Sequence, residues 1–154
     1  MIITIVSVGR LKSGPEKDLV DDYAGRFRKS ARQLGFRDLK LVDVEAGPSL
    51  EAEGERLLAK LPRDAKLFRL DEFGAPSTSK AFAQNLAKWR DAGTPQVAFL
   101  IGGAAGYSQA VRDAVPTTMA FGPQTWPHRL VKVMLCEQIY RAASLLAGSP
   151  YHKA

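Results

Sequence analysis

The sequence QVAFLIGGAAG, residues 96–106, contains the clearest indication of the fold. Its first six residues are almost entirely apolar and of strand length, which is typical of a central strand buried on both faces of a parallel sheet. Three glycines, Gly102, Gly103 and Gly106, follow at once, and glycine permits the close backbone approach that a ligand requires. The segment therefore predicts a buried strand that runs directly into a candidate binding loop.

Strand-like and helical patterns alternate on both sides of this segment. Alternation of this kind indicates an α/β fold, a mostly parallel sheet with helices on both faces. The other expected strands cover residues 1–8, 39–44, 66–71 and 117–121. No composition shift or repeat divides the sequence, so we expect one domain over residues 1–154.

The last predicted helix, residues 129–147, carries apolar residues around much of its circumference, which indicates burial against other elements. Cys136 lies within its apolar part and is expected to belong to the core rather than to act as a nucleophile. Glu137 and Arg141 have the i,i+4 spacing of an ion pair.

Composition narrows the classes of protein. The chain has 22 Lys and Arg against 16 Asp and Glu, a net charge of +6 that suits a polyanion, although many basic proteins bind no nucleic acid. With one cysteine and only His128 and His152, a disulfide within the chain is impossible and no metal site is expected. The apolar runs are far shorter than the roughly 20 residues that cross a bilayer, and residues 1–6 lack the features of a signal peptide. We therefore expect a cytoplasmic protein without membrane contact.

Three loops are expected to meet at the carboxyl edge of the sheet, where open parallel sheets bind ligands. They begin near Leu70, Gly102 and Gly122. The glycine loop lacks both the complete G-x-G-x-x-G dinucleotide pattern and the lysine of a phosphate-binding loop. A simple tight turn and a nucleotide-binding doubly wound domain therefore stay open as alternatives at this stage.

Several segments, in order and spacing, resemble the ribosomal RNA large-subunit methyltransferase H family. They are IVSVGR at 5–10, LIGGAAG at 100–106, TWPHRLVKV at 125–133, EQIYRA at 137–142 and PYHK at 150–153. Leu70 and Asp71, followed by Gly74, add to the resemblance, which covers essentially the whole chain.

That resemblance implies a SPOUT methyltransferase, in which the C-terminal segment threads through a loop to form a deep trefoil knot that binds S-adenosylmethionine. Knots violate the usual rule against threading, and the sequence pattern alone predicts an ordinary doubly wound sheet. The resemblance also implies methylation of N3 of a pseudouridine in 23S ribosomal RNA, in the assembled ribosome. It further implies a homodimer whose RNA site is built from both subunits.

The positions that match the family's cofactor site lie in all three loops. The resemblance implies that S-adenosylmethionine is surrounded by Leu70, Asp71, Gly102, Gly103, Gln124, Thr125, Trp126, Pro127, His128 and Arg129. Backbone groups are expected to matter more than side chains. Trp126 is a candidate apolar wall for the cofactor, although a tryptophan in a loop is as often simple packing.

Methyl transfer to an imide nitrogen requires removal of its proton. His128 and His152 are the candidate bases, with a loop-stabilising role and an ordinary tail position as the respective alternatives. Tyr151 completes the candidate catalytic set, either by stacking on a base or by packing on the last helix.

Four cations are candidate contacts for RNA phosphates, with solvated surface charge as the alternative: Arg10, Lys12, Arg141 and Lys153. Two departures from the family pattern bear on RNA binding more than on cofactor binding. Ala105 stands where many relatives are acidic, and Lys153 stands where arginine is common. The competing functions are a related SPOUT methyltransferase of another RNA and a non-catalytic RNA-binding or ribosome-binding protein.

Overall fold

The computed structural model describes residues 1–151, in which strands and helices alternate along the chain. The strands are Ile2–Val8 (β1), Asp38–Val44 (β2), Ala65–Leu70 (β3), Gln96–Ile101 (β4) and Thr118–Met119 (β5). The helices are Pro15–Ala31 (α1), Leu50–Ala59 (α2), Ser79–Asp91 (α3), Gln109–Ala114 (α4) and His128–Ala147 (α5), and a 3-10 turn, Arg32–Leu34, follows α1.

The five strands form one parallel sheet in the order β2-β1-β4-β3-β5. The predicted α/β class with a parallel sheet is confirmed. The chain leaves β1 toward β2 at one edge and leaves β4 toward β5 at the other, so the connections diverge between these two central strands. Such divergence opens a crevice at the carboxyl edge of a sheet.

Helices cover both faces of the sheet, as predicted. On one face, α5 packs between α1 and α3, and on the other face α2 packs against α4. A hydrophobic core lies on each face of the sheet, and side chains of β1 contribute to both. Ile3 and Ile5 belong to one core, and Val6 and Val8 belong to the other. Residues 97–101 of β4 are all buried, as expected for the central strand.

Strand β5 is shorter than the predicted residues 117–121. Its two residues pair with Arg69 and Leu70, which are the last residues of β3. The partner strand ends there, so Ala120 makes only an isolated bridge to Pro76 and the chain turns away at Gly122.

Helix α5 is buried over most of its length, and Cys136 is fully buried, which confirms its predicted place in the core. The predicted ion pair is present, with Arg141 Nη2 2.8 Å from Glu137 Oε1. Leu130, in the first turn, is an exception to the expected burial of the apolar residues, because it is 40% exposed.

The trefoil knot stays a prediction. Within residues 1–151, no helix combines the length and the apolar character that crossing a membrane requires.

Candidate active site

A cavity of about 650 Å³ lies at the carboxyl ends of β3, β4 and β5. Its wall comes from the three loops that the sequence analysis expected to converge there. All but one of the predicted cofactor residues line it: Leu70, Asp71, Gly102, Gly103, Gln124, Thr125, Trp126, Pro127 and His128. The exception, Arg129, faces a smaller neighbouring cavity. Their roles in binding stay predictions.

The glycine loop after β4 is a closed turn. Gly106 N donates to Gly103 O at 3.0 Å, and Gly106 has a φ of +87° that favours glycine. A Cβ on Gly102 would lie 2.8 Å from Gly106 O and 3.1 Å from the Tyr107 ring. Glycine at position 102 is therefore required by the turn itself, which presents backbone groups to the cavity.

Tyr107, which the sequence analysis did not single out, joins two strand ends beneath the cavity. Its hydroxyl lies 2.7 Å from Leu70 O and 2.9 Å from Leu100 O and shares its one proton between these carbonyls. Burial raises the pKa of this phenol well above its usual range, so the hydroxyl stays protonated and acts as a donor. A lone tyrosine after a glycine loop carries no sequence signal for this role.

The carboxylate of Asp71 is paired with two arginines and a backbone N–H of the protein. Oδ2 lies 2.6 Å from Nη1 of the buried Arg69 and 3.8 Å from Nη1 of Arg112, while Oδ1 accepts from Phe73 N at 2.9 Å. Arg69 also donates from Nε to Val115 O at 3.1 Å. Asp71 therefore shapes the loop after β3 and is poorly placed to act as a base. Neither arginine was recognised from sequence, because both resemble ordinary surface charges there.

The loops after β3 and β5 contact each other across the mouth of the cavity. The Thr125 hydroxyl donates to the Glu72 carboxylate. Within the loop after β5, Trp126 Nε1 donates to Phe121 O at 3.1 Å. Trp126 is 39% exposed and Phe73 is 89% exposed, so two aromatic rings stand at the rim. Exposed rings of this kind are suited to stacking on a base.

His128 is the first residue of α5 and lines both cavities. The smaller cavity, about 120 Å³, is bounded by the loop after β1, and Arg10 and Arg129 both line it. Lys12, in the same loop, is exposed. The structure thus brings His128, Arg10 and Arg129, three of the predicted residues, together at one end of α5.

Tyr151 and Arg141 lie at the other end of α5. Glu137 Oε1 accepts from the Tyr151 hydroxyl at 3.1 Å and from Arg141 Nε at 2.9 Å, and the Arg141 guanidinium lies over the Tyr151 ring. Glu137 is nine residues beyond His128, or about 14 Å along a helix. Within one chain, Tyr151 is therefore not brought to the cavity. His152 and Lys153 lie outside the described residues.

The described residues, 1–151, contain no cluster of His, Cys, Asp and Glu side chains suited to a metal ion. The cavity is lined by the glycine turn, by apolar side chains such as Leu70 and Ile101, and by polar residues of the three loops. Such a lining fits an organic cofactor with polar ends and an apolar body.

Comparison with known proteins agrees with this architecture. A family model described as "Predicted SPOUT methyltransferase" matches residues 1–152. Proteins named ribosomal RNA large subunit methyltransferase H are 55% identical in Hyphomonas neptunium, over 100% of both chains, and 49% identical in Cereibacter sphaeroides, over 99% of both. A third, from Nitrobacter winogradskyi, is 46% identical over 99% of both.

By class, then, the chain is a SPOUT methyltransferase. Within that class it belongs to the ribosomal RNA large subunit methyltransferase H family, since full-length relatives of that name share about half of its residues. The resemblance noted from the sequence segments is confirmed.

Proposed function

We propose that the protein transfers the methyl group of S-adenosylmethionine to N3 of a pseudouridine in large-subunit ribosomal RNA. The observation that carries the proposal is the 650 Å³ cavity at the carboxyl edge, in a chain whose full-length relatives are named for ribosomal RNA methylation. The protein acts as a single cytoplasmic domain on the assembled ribosome.

The cavity suits S-adenosylmethionine in size and lining. Its volume falls within the range of about 300 to 1,000 Å³ that drug-sized ligands occupy. Leu70, Ile101 and Met119 supply apolar walls, while the glycine turn and the loop at 124–127 bring backbone donors and acceptors. When bound, the cofactor supplies an electrophilic methyl group. The rim residues Thr125 and Trp126 limit the entry of water.

His128 is our candidate for the group that removes the N3 proton. It lies where the two cavities meet, whereas the Asp71 carboxylate is already occupied by Arg69 and by the backbone. His152 is the second candidate, from the tail of another copy. Replacing each histidine by Gln and measuring single-turnover methylation tests both, and unchanged rates in the two variants would remove histidine base catalysis.

A homodimer would bring the distant tail to the cavity. Tyr151 and Arg141 are held by Glu137, far from His128 within the chain. We propose that the site is completed by Tyr151, His152 and Lys153 of a second copy, with Tyr151 stacking on a base.

Four cations are our candidates for RNA phosphates: Arg10, Lys12, Arg141 and Lys153. Phosphate contacts supply affinity that falls with salt, with a logarithmic slope of about 0.7 per contact for single strands. Alanine at each position should reduce both RNA affinity and this slope, measured by filter binding. The exposed Lys40 on β2 is a matched control, and a slope unchanged from wild type removes the residue concerned from the contact set.

The decisive experiment is transfer of labelled methyl from S-adenosylmethionine to bacterial ribosomes that lack the modification, followed by mass-spectrometric mapping. Methylated pseudouridine in the large-subunit RNA is the expected product. Label at another nucleoside would indicate a different RNA target. Cofactor binding without turnover on any ribosomal substrate would favour a non-catalytic ribosome-binding protein.

A further inference from the structure

The smaller cavity has features that the proposed cofactor site does not use. This side cavity adjoins the larger one, because Ile101 at the end of β4 and His128 at the start of α5 line both. Its wall also includes Ser7 on β1 and Lys132 on α5. A group held there would lie next to the cofactor cavity.

Lys132 is a buried lysine with a defined anchor. Its side chain is 6% exposed, and Nζ lies 2.5 Å from Asp43 Oδ1, which also accepts from Ser7 Oγ at 3.0 Å. An ammonium has three N–H donors. Among the described residues Asp43 accepts one of them, so the ammonium retains donors for a ligand in the side cavity.

Positive charge predominates around this lysine. Arg10 and Arg129 line the side cavity, and Asp43 faces Lys132 from β2. Helix α1 contributes Lys17, paired with Asp21 at 2.6 Å and within the field of Asp43. The charged and titratable groups around Lys132 are thus Asp43, which is paired with it, Arg10, His128 and Arg129 in the wall of the side cavity, and Cys136 one turn further along α5, with Lys17 and Asp21 on the neighbouring helix α1. The excess of positive charge around Lys132 favours a ligand that becomes negatively charged.

We propose that the side cavity receives the target base and that Lys132 is a catalytic residue that donates a hydrogen bond to the carbonyl oxygen beside its N3. The inference rests on the proposed function and deepens it. Asp43 acts through Lys132 and is a positioning residue.

The chemistry follows from the imide. Loss of the N3 proton to His128 or to solvent leaves a negative charge shared by N3 and its two flanking carbonyl oxygens, and a fixed ammonium stabilises that charge. The N3 electron pair then forms the bond to the methyl carbon, while the electron pair of the carbon–sulfur bond remains with sulfur. An ammonium beside the oxygen also lowers the pKa of the imide.

The pH dependence of single-turnover methylation distinguishes this role from a structural one. Lys132→Met should reduce the rate at neutral pH on the order of 100-fold. Part of the lost rate should be recovered as pH rises, because the imide ionises only at higher pH when the ammonium is absent. Lys132→Arg keeps the charge and should keep most of the rate, and the exposed Lys40→Met should match wild type. A Lys132→Met profile parallel to wild type at every pH would overturn the proposal.

Removing Lys132 alone leaves Asp43 without its cation, which destabilises a fold. The double variant Lys132→Met with Asp43→Asn removes both charges together. It should bind S-adenosylmethionine with wild-type affinity in calorimetry and still show the altered pH profile. Wild-type rates in this folded variant would contradict a catalytic Lys132.

A binding experiment needs no methylation. Barbiturate, which has lost a proton from C5, is a planar anion in neutral water, and its charge lies largely on carbonyl oxygens like the one that Lys132 would contact. Its titration into the cofactor-free protein should shift the backbone amide resonances of Ser7, Arg10 and Ile101. The Lys132→Arg variant should bind barbiturate, and the affinity of the double variant for barbiturate should be at least tenfold lower than that of wild type. Absence of binding to wild type would overturn the proposal. Barbiturate binding by a protein that methylates no RNA would support the side cavity and contradict only the proposed function.

Discussion

The hydroxyl of Tyr107 ties β3 to β4 where both strands end. It shares its one proton between the carbonyls of Leu70 and Leu100, and both residues are buried. A buried carbonyl that loses its donor keeps the full cost of its desolvation. The two loops that begin at these strand ends are therefore positioned by the hydroxyl proton of Tyr107, which stays on the oxygen because the side chain is buried.

Tyr107→Phe should consequently lower the free energy of unfolding by about 1–3 kcal/mol, measured by urea denaturation. The affinity for S-adenosylmethionine should fall as well, because Leu70 and the glycine turn lose their fixed separation. Equal stability and equal affinity in the variant would show that the hydroxyl does not hold the strand ends.

Cys136 provides a pH prediction. Burial raises the pKa of its thiol from 9.0 to about 12. The unfolded chain therefore releases this proton at a lower pH than the folded chain, so stability should fall as pH rises from about 9 toward 12. Unfolding in urea at several pH values should show a shallower decline for Cys136→Ala than for wild type. Rapid labelling of the native thiol by a disulfide reagent would contradict the buried, protonated state.

At the scale of the elements, two helix-interior glycines have opposite surroundings. A Cβ on Gly54 in α2 would collide with the Ser108 side chain, whereas a Cβ on Gly25 in α1 would have no heavy atom within 4 Å apart from its chain neighbours and the backbone of its own helix. Gly54 thus allows α2 to approach α4, and Gly25 serves no such contact.

Alanine at the two positions should have opposite effects on stability. Gly54→Ala should destabilise by about 1–3 kcal/mol because the helices must separate. Gly25→Ala should stabilise by about 0.5–1 kcal/mol through helix propensity. Thermal unfolding of the pair measures both, and destabilisation by Gly25→Ala would show that its surroundings are tighter than the structure indicates.

The order of elements was predictable because each carries a local signal. Pro15 begins α1 and Gly35 ends the turn after it, which are the positions that proline and glycine favour. The extent of β5 was not predictable, since it depends on where its partner β3 ends at Leu70. Pairing between strands 49 residues apart leaves no local trace in the sequence.

At the scale of the whole molecule, the two ends of α5 serve different parts of the proposed site. His128 borders the cavities, while Arg141 and Tyr151 gather about Glu137 some distance away. The proposed homodimer reconciles them, since a second copy can supply the distant end.

Mixing two inactive variants tests this arrangement. Gly102→Val should block the cavity in one copy, and Tyr151→Ala with His152→Ala should remove the tail in the other. Refolding or co-expressing the two should restore methylation that neither has alone, because a mixed dimer contains one site with both parts intact. Light scattering should show a dimer. A monomer, or mixtures as inactive as their components, would contradict a shared site.

The sequence by itself determined the α/β class, the order of its elements and the loops that meet at the carboxyl edge. These follow from local patterns: an apolar strand at residues 96–101, glycines directly after it and helices between strands. Nearly all of the cofactor residues that the family resemblance pointed to line the cavity.

Only the tertiary structure decided which polar groups stand next to each other. It engaged Asp71 with Arg69, placed Tyr107 between two strand ends and paired Lys132 with Asp43, 89 residues away. It also separated Tyr151 from the cavity. The physical reason is that hydrogen bonds and ion pairs depend on distances of a few ångströms, which the sheet order and helix packing set and sequence spacing does not.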